Sequence, residues 1–142
     1  MERARAEGAS PARLYATVVG GTLVVAGIIG FFYSASFGSP GEVDDVFGIL
    51  SVNAWHNLVH ILTGAIGLLV AGYAARQYAL GLGVVYLVVA AWGFIIGSGD
   101  SILGFIPVNT EDNFLHLILG VLGVGAGLAT PVETSREPAA AT

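Results

Sequence analysis

An all-α integral membrane protein with four transmembrane helices is the fold class the sequence predicts, on three observations. Hydrophobic residues fill 55% of the 142 positions and charged residues only 11%, with a mean hydropathy of +0.80, more apolar surface than one soluble core of this size hides. The apolar residues fall into four segments, each near the length of about 20 residues at which a helix crosses hydrocarbon. None of the segments alternates as a barrel strand would, and inside lipid an unbroken apolar run can pair its own backbone only as helix.

The first segment, Leu14 to Tyr33, follows Arg3, Arg5 and Arg13. It is longer than the apolar region of a secretory signal and no A-x-A cleavage site follows it, so it reads as a retained helix. The second runs from Ala54 to Tyr73 and the third from Tyr78 to Gly97, joined by a tight loop holding Arg76. The fourth, Phe114 to Thr130, is the shortest and stops at Pro131. Residues 1–13 then form a cytoplasmic N-terminal segment, 14–131 the four-helix domain, and 132–142 a cytoplasmic tail expected to be disordered from Pro138 and its alanine run.

Orientation follows from arginine, since lysine is absent. The basic residues precede the first segment, sit in the second loop or lie in the tail, whereas the first and third loops have none. The positive-inside rule therefore predicts both termini in the cytoplasm of a multi-pass protein in the cell membrane. The outer loops carry Glu42, Asp44, Asp45, Asp100, Glu111 and Asp112. A formal net charge of -5 offers no basic face to nucleic acid, and the absence of cysteine removes thiol chemistry. The bilayer is the expected partner, with a second copy or another membrane protein left open.

Glycine is frequent, at 21 residues, and much of it recurs at helical spacing: Gly27 and Gly30, Gly64 and Gly67, Gly93 and Gly97, then Gly120, Gly123 and Gly127. Small residues three or four apart let two helix backbones approach, so these stripes predict tight packing within the bundle in preference to dimerisation. Of the aromatic residues, Trp55 and Phe105 are expected at the outer interface, Tyr15, Tyr73 and Tyr78 in an inner aromatic belt, and Trp92 in packing. The stretch around Gly104-Phe105-Ile106-Pro107 reads as a short re-entrant or surface-lying loop.

An internal repeat carries the chemistry. His56-Asn57-Leu58-Val59-His60 through Gly64 and Gly67 aligns without a gap to Asp112-Asn113-Phe114-Leu115-His116 through Gly120 and Gly123. Gly27 and Gly30 in the preceding helix align with Gly93 and Gly97, which suggests two related helical hairpins. Asn57 and Asn113 sit one turn from the repeated histidines on the same face and read as helix-contact residues, with Asn53 and Asp112 as N-caps. The pairs His56 with His60 and Asp112 with His116 are each spaced i, i+4 on one face. Were those faces to meet, His56, His60, Asp112 and His116 would form a ligand set for zinc, iron or copper, with Asp44, Asp45, Asp100 and Glu111 as outer partners. A bis-histidine haem between His60 and His116 is a further option. The bland alternative is that each imidazole only satisfies an asparagine, a carbonyl or water between helices. No H-E-x-x-H or other familiar motif is present, so no cofactor is assigned from the sequence.

The N-x-x-H element at Asn57 and the P-x-N-x-x-D-N-x-x-H element from Pro107 to His116 together resemble a bacterial membrane family known as domain of unknown function 4383. The likeness runs from about Leu14 to Leu128; it implies four helices and adds no activity. Three functions follow in order: a non-enzymatic membrane component, a metal- or haem-binding redox protein, and a small transporter. Transport ranks last because no charge falls within a span and Thr22 and Thr63 are the only aliphatic hydroxyls near mid-span. Ser51 and Ser101 lack a nucleophile motif, so an enzyme is not expected.

Overall fold

The computed structural model describes residues 10–132, so Arg3, Arg5 and the tail from Glu133 lie outside the described residues. Among the described residues four helices form: α1 Pro11–Gly30, α2 Ala54–Val70, α3 Ala75–Ile96 and α4 Thr110–Ala129. Between α1 and α2 stands an antiparallel hairpin of β1 Asp44–Val46 and β2 Leu50–Val52; between α3 and α4, a smaller one of β3 Ser101–Ile102 and β4 Ile106–Pro107.

Polar caps start α1 and α4 ahead of their apolar runs, whereas α2 begins at Ala54 behind Asn53 as the sequence reading has it. Ser10 caps α1, its hydroxyl accepting from the Arg13 amide at 3.2 Å, with Pro11 pre-set for the first turn. Asn53 caps α2, its Oδ1 accepting from the His56 amide at 3.0 Å. The fourth helix takes in the polar residues Thr110 to Asn113 because Asn109, not Asp112, is its cap. Asn109 Oδ1 accepts from the Asp112 amide at 2.8 Å while Asp112 Oδ2 accepts from the Asn109 amide at 3.2 Å, a reciprocal capping box. Consequently α4 has 20 residues and α2, at 17, is the shortest helix.

Both loops contain hairpins, the second where a short re-entrant or surface-lying loop was expected. At their tips Phe47 and Gly48 have φ of 54° and 69°, and Leu103 and Gly104 have 54° and 78°. Three residues separate the paired Val46 and Leu50, and three separate Ile102 and Ile106, so each tip is a three-residue loop whose first two residues take left-handed φ. Phe and Leu at such a position are uncommon, which is why the turns were not evident from residue type.

Helix α1 packs closely along α2, and α3 along α4. Glycine makes both approaches possible. A β-carbon on Gly20 would meet Gly64 O at 2.9 Å, and one on Gly83 would meet Val124 N at 2.6 Å and Gly120 O at 3.0 Å. The two pairs join through a core of Ala12, Tyr15, Val19 and Leu23 from α1 against Ala79, Leu82 and Tyr86 from α3. Of the tyrosines expected in an aromatic belt, Tyr15 is a core residue and the half-buried Tyr78 packs against the core. Tyr15 Oη donates to Leu119 O at 2.9 Å and Tyr78 Oη to Thr63 O at 3.0 Å, each ring lying over a glycine, Gly123 and Gly67 respectively. Tyr73 is exposed, and Trp92, expected in packing, is 39% exposed on α3.

The helices alternate in direction, so the described chain ends meet at one end of the bundle, where the Ala12 amide donates to Thr130 Oγ1 at 2.9 Å. Arg13 and Arg76 are at this terminal end, and Arg76 Nε donates to Thr130 O at 3.2 Å. The two β-hairpins cover the opposite end. Large apolar side chains point outward along all four helices, among them Val25, Leu69, Ile95 and Leu128. Three of the helices, α1, α3 and α4, are long and apolar enough to cross a membrane.

Candidate metal centre at the hairpin end

Each hairpin end is tied to the other by an asparagine. Asn53 Nδ2 donates to Phe105 O at 2.6 Å, in the β3–β4 turn, and to Pro40 O at 2.7 Å; Asn109 Nδ2 donates to Ile49 O at 2.6 Å, in the β1–β2 turn. These caps therefore do two things at once. They start α2 and α4 and fix how those helices stand relative to each other.

One turn further along lie Asn57 and Asn113, fully buried. Asn57 Nδ2 donates to Ser34 O at 2.9 Å, and its Oδ1 rests against Gly30; Asn113 Oδ1 rests in the same way against Gly93. Neither Oδ1 has a conventional donor. A glycine Cα–H directed at each supplies the weaker contact that takes its place. Gly30 and Gly93 thus stand in the same relation to their asparagines, whereas the register read in the sequence set Gly30 against Gly97. Gly97 lies past the end of α3 with φ of 91°.

The three histidines meet. His56, His60 and His116 each place one ring nitrogen within 4.8 Å of the others. Ring centroids are separated by 4.4 Å for His56 and His60, 5.9 Å for His56 and His116, and 6.3 Å for His60 and His116. His56 and His116 are 2% and 4% exposed and His60 is half-buried. His56 Nδ1 lies 2.9 Å from Ser51 O. A carbonyl only accepts, so Nδ1 carries the proton and Nε2 keeps its lone pair. Tyr86 stacks on the His116 ring at 5.1 Å with 15° between planes. His116 Nδ1 is buried without a partner, and unlike the two asparagine oxygens it has no glycine contact to account for it.

Asp112, the fourth residue of the set read from the sequence, is directed elsewhere. Its Oδ2 accepts from the Ser51 amide at 3.0 Å as well as from Asn109. The carboxylates expected around the site engage their own loops. Asp44 Oδ1 accepts from the Asp45 amide at 2.7 Å, Asp100 Oδ1 from the Ser101 amide at 2.8 Å, and Asp45 Oδ1 from Ser51 Oγ at 2.7 Å. Sequence reasoning missed Ser51 and Tyr86. The first acts through its backbone carbonyl, to which residue type is blind, and the second is placed by α1–α3 packing.

A bundle with apolar helices, an apolar outer surface and buried polar groups gathered at one end is the build of a helical membrane protein. The chain belongs to the family described as Domain of unknown function (DUF4383), matched over residues 13–129. No curated protein and no solved structure matches it.

Proposed function

We propose that this membrane protein holds one first-row transition-metal ion through His56, His60 and His116. The observation that carries the reading is the convergence of three imidazoles within 4.8 Å, one of them with a buried, unpartnered nitrogen. Metal–nitrogen bonds of about 2.0–2.1 Å place tetrahedral donors roughly 3.3 Å apart, so the rings need close by only about 1.5 Å. Neutral imidazole suits zinc, copper, iron and nickel alike. Glu42, Asp44, Asp45, Asp100, Glu111 and Asp112 make the hairpin end acidic, which favours the arrival of a cation. His56 stands beside both His60 and His116, where a macrocycle joining them would have to lie, so a single ion is favoured over haem.

In the same reading all four helices cross the cell membrane with both termini in the cytoplasm, and the metal end faces outward. Arg13 and Arg76 at the terminal end support the orientation, and the outward Leu62, Ile66 and Leu69 support α2 as the fourth span. The chain is read as two repeated hairpins related by an axis between α1 and α3. The reciprocal bonds of Asn53 and Asn109, and of Tyr15 and Tyr78, support that relation.

Metal content of protein purified in detergent without chelators tests the function, with His60→Ala beside the wild type. Near-stoichiometric metal in the wild type, lost in the variant, is expected. Protein that stays metal-free after incubation with zinc, copper or iron would return the histidines to a packing role in a non-enzymatic membrane component. Tyr86 on His116 and Ser51 on His56 are the contacts such a role would use.

A further inference from the structure

The two hairpins differ where the third ligand sits. His60 and His116 occupy aligned positions, but the residue aligned with His56 is Asp112. A fully repeated site would have four ligands, two from each helix. Instead Asp112 Oδ2 accepts from the amides of Ser51 and Asn109, and no fourth histidine, cysteine or carboxylate joins the cluster among the described residues.

Ser51 links the two unequal residues. Its N–H donates to Asp112 Oδ2 at 3.0 Å, its carbonyl accepts from His56 Nδ1 at 2.9 Å, and its hydroxyl donates to Asp45 at 2.7 Å. Both faces of one residue in β2 are therefore held, one by α4 and the other by the histidine it orients. Asp112 acts on His56 through this strand and does not need to touch the ion to do so.

We propose, resting on the metal reading above, that Asp112 is a positioning residue and that the metal keeps a fourth coordination position open to a small exogenous donor such as water or an anion. Three protein ligands with a free position is the arrangement of a site that exchanges ligands, in contrast to a closed structural one.

The test uses the full chain in detergent, loaded with Co2+ and titrated with azide while its visible bands are followed. Binding of one Co2+ and a saturable azide-dependent band shift in the wild type are expected. Asp112→Asn keeps an oxygen that accepts from Ser51 and is expected to bind Co2+ within about threefold of wild type, whereas Asp112→Ala is expected to bind 10- to 100-fold more weakly. The azide response should persist in Asp112→Asn. Bound Co2+ whose bands ignore azide in the wild type but respond in Asp112→Asn would overturn the proposal by making Asp112 a ligand. Bands that ignore azide in both would show a closed site and overturn it too. Failure of Co2+ to bind the wild type at all would instead remove the metal reading on which it rests.

Discussion

Replacing Gly93 by alanine tests the contact that holds α3 against α4 beside the histidines. A β-carbon there would collide with Asn113 Oδ1 and stand 2.6 Å from Cγ and 2.9 Å from Nδ2 of the same amide. Asn113 is 1% exposed, so the amide has nowhere to swing, and the helices must part or the side chain must leave its rotamer. Overpacking of this kind costs about 1–3 kcal/mol. Alanine also favours helix over glycine by up to about 1 kcal/mol, which would blur the result if Gly93→Ala were measured alone. Gly81 on the same helix removes that ambiguity, because a β-carbon there meets nothing within 4 Å. The propensity gain is common to the two variants, so Gly93→Ala should be less stable than Gly81→Ala by roughly the whole 1–3 kcal/mol. Equilibrium unfolding in mixed detergent micelles reads the difference. In an Asn113→Ala background the gap should shrink, since the colliding amide is gone. Equal stability of Gly93→Ala and Gly81→Ala would refute the close approach and the role given to these glycines.

Further outcomes follow from the same contacts. Asn53→Ala and Asn109→Ala each remove a cap and a bond to the opposite hairpin, and each should cost roughly 2–3 kcal/mol in the same unfolding assay. Tyr15→Phe and Tyr78→Phe should each cost about 1 kcal/mol and by similar amounts; a large inequality would count against two equivalent hairpins. The chain has no cysteine, so single cysteines report orientation without background. A membrane-impermeant maleimide applied to intact cells should label Phe47→Cys and Leu103→Cys, exposed at the hairpin tips, and spare Tyr73→Cys at the terminal end. The opposite pattern would invert the topology. Chelator treatment of metal-loaded wild type should lower its melting temperature, and His60→Ala should show no such response.

Composition, with the length and continuity of the apolar runs, determined that the chain is helical and apolar on its outside, because hydropathy read along the chain does not depend on who touches whom. Helix number and approximate positions were legible for the same reason. Their ends were legible only in part: Asn53 reads from the sequence as the cap of α2, but Ser10 and Asn109 set the starts of α1 and α4 by hydrogen bonds at the polar margins of the runs. The hairpins were invisible because Phe47 and Leu103 take a left-handed conformation that their residue types disfavour, and only the strands they join make it worthwhile. The alignment of His60 with His116 was written in the repeat, and so was the i, i+4 spacing of His56 and His60. Whether the two faces met was a question of distance between helices, decided by Gly20 against Gly64, Gly83 against Gly120, and the two cross-hairpin asparagines. The same packing turned Asp112 toward Ser51, and nothing in its spacing to His116 distinguishes a ligand from a cap. Sequence determines which side chains share a helix face; only tertiary structure decides what that face meets, because the deciding contacts are backbone approaches between helices far apart in the chain.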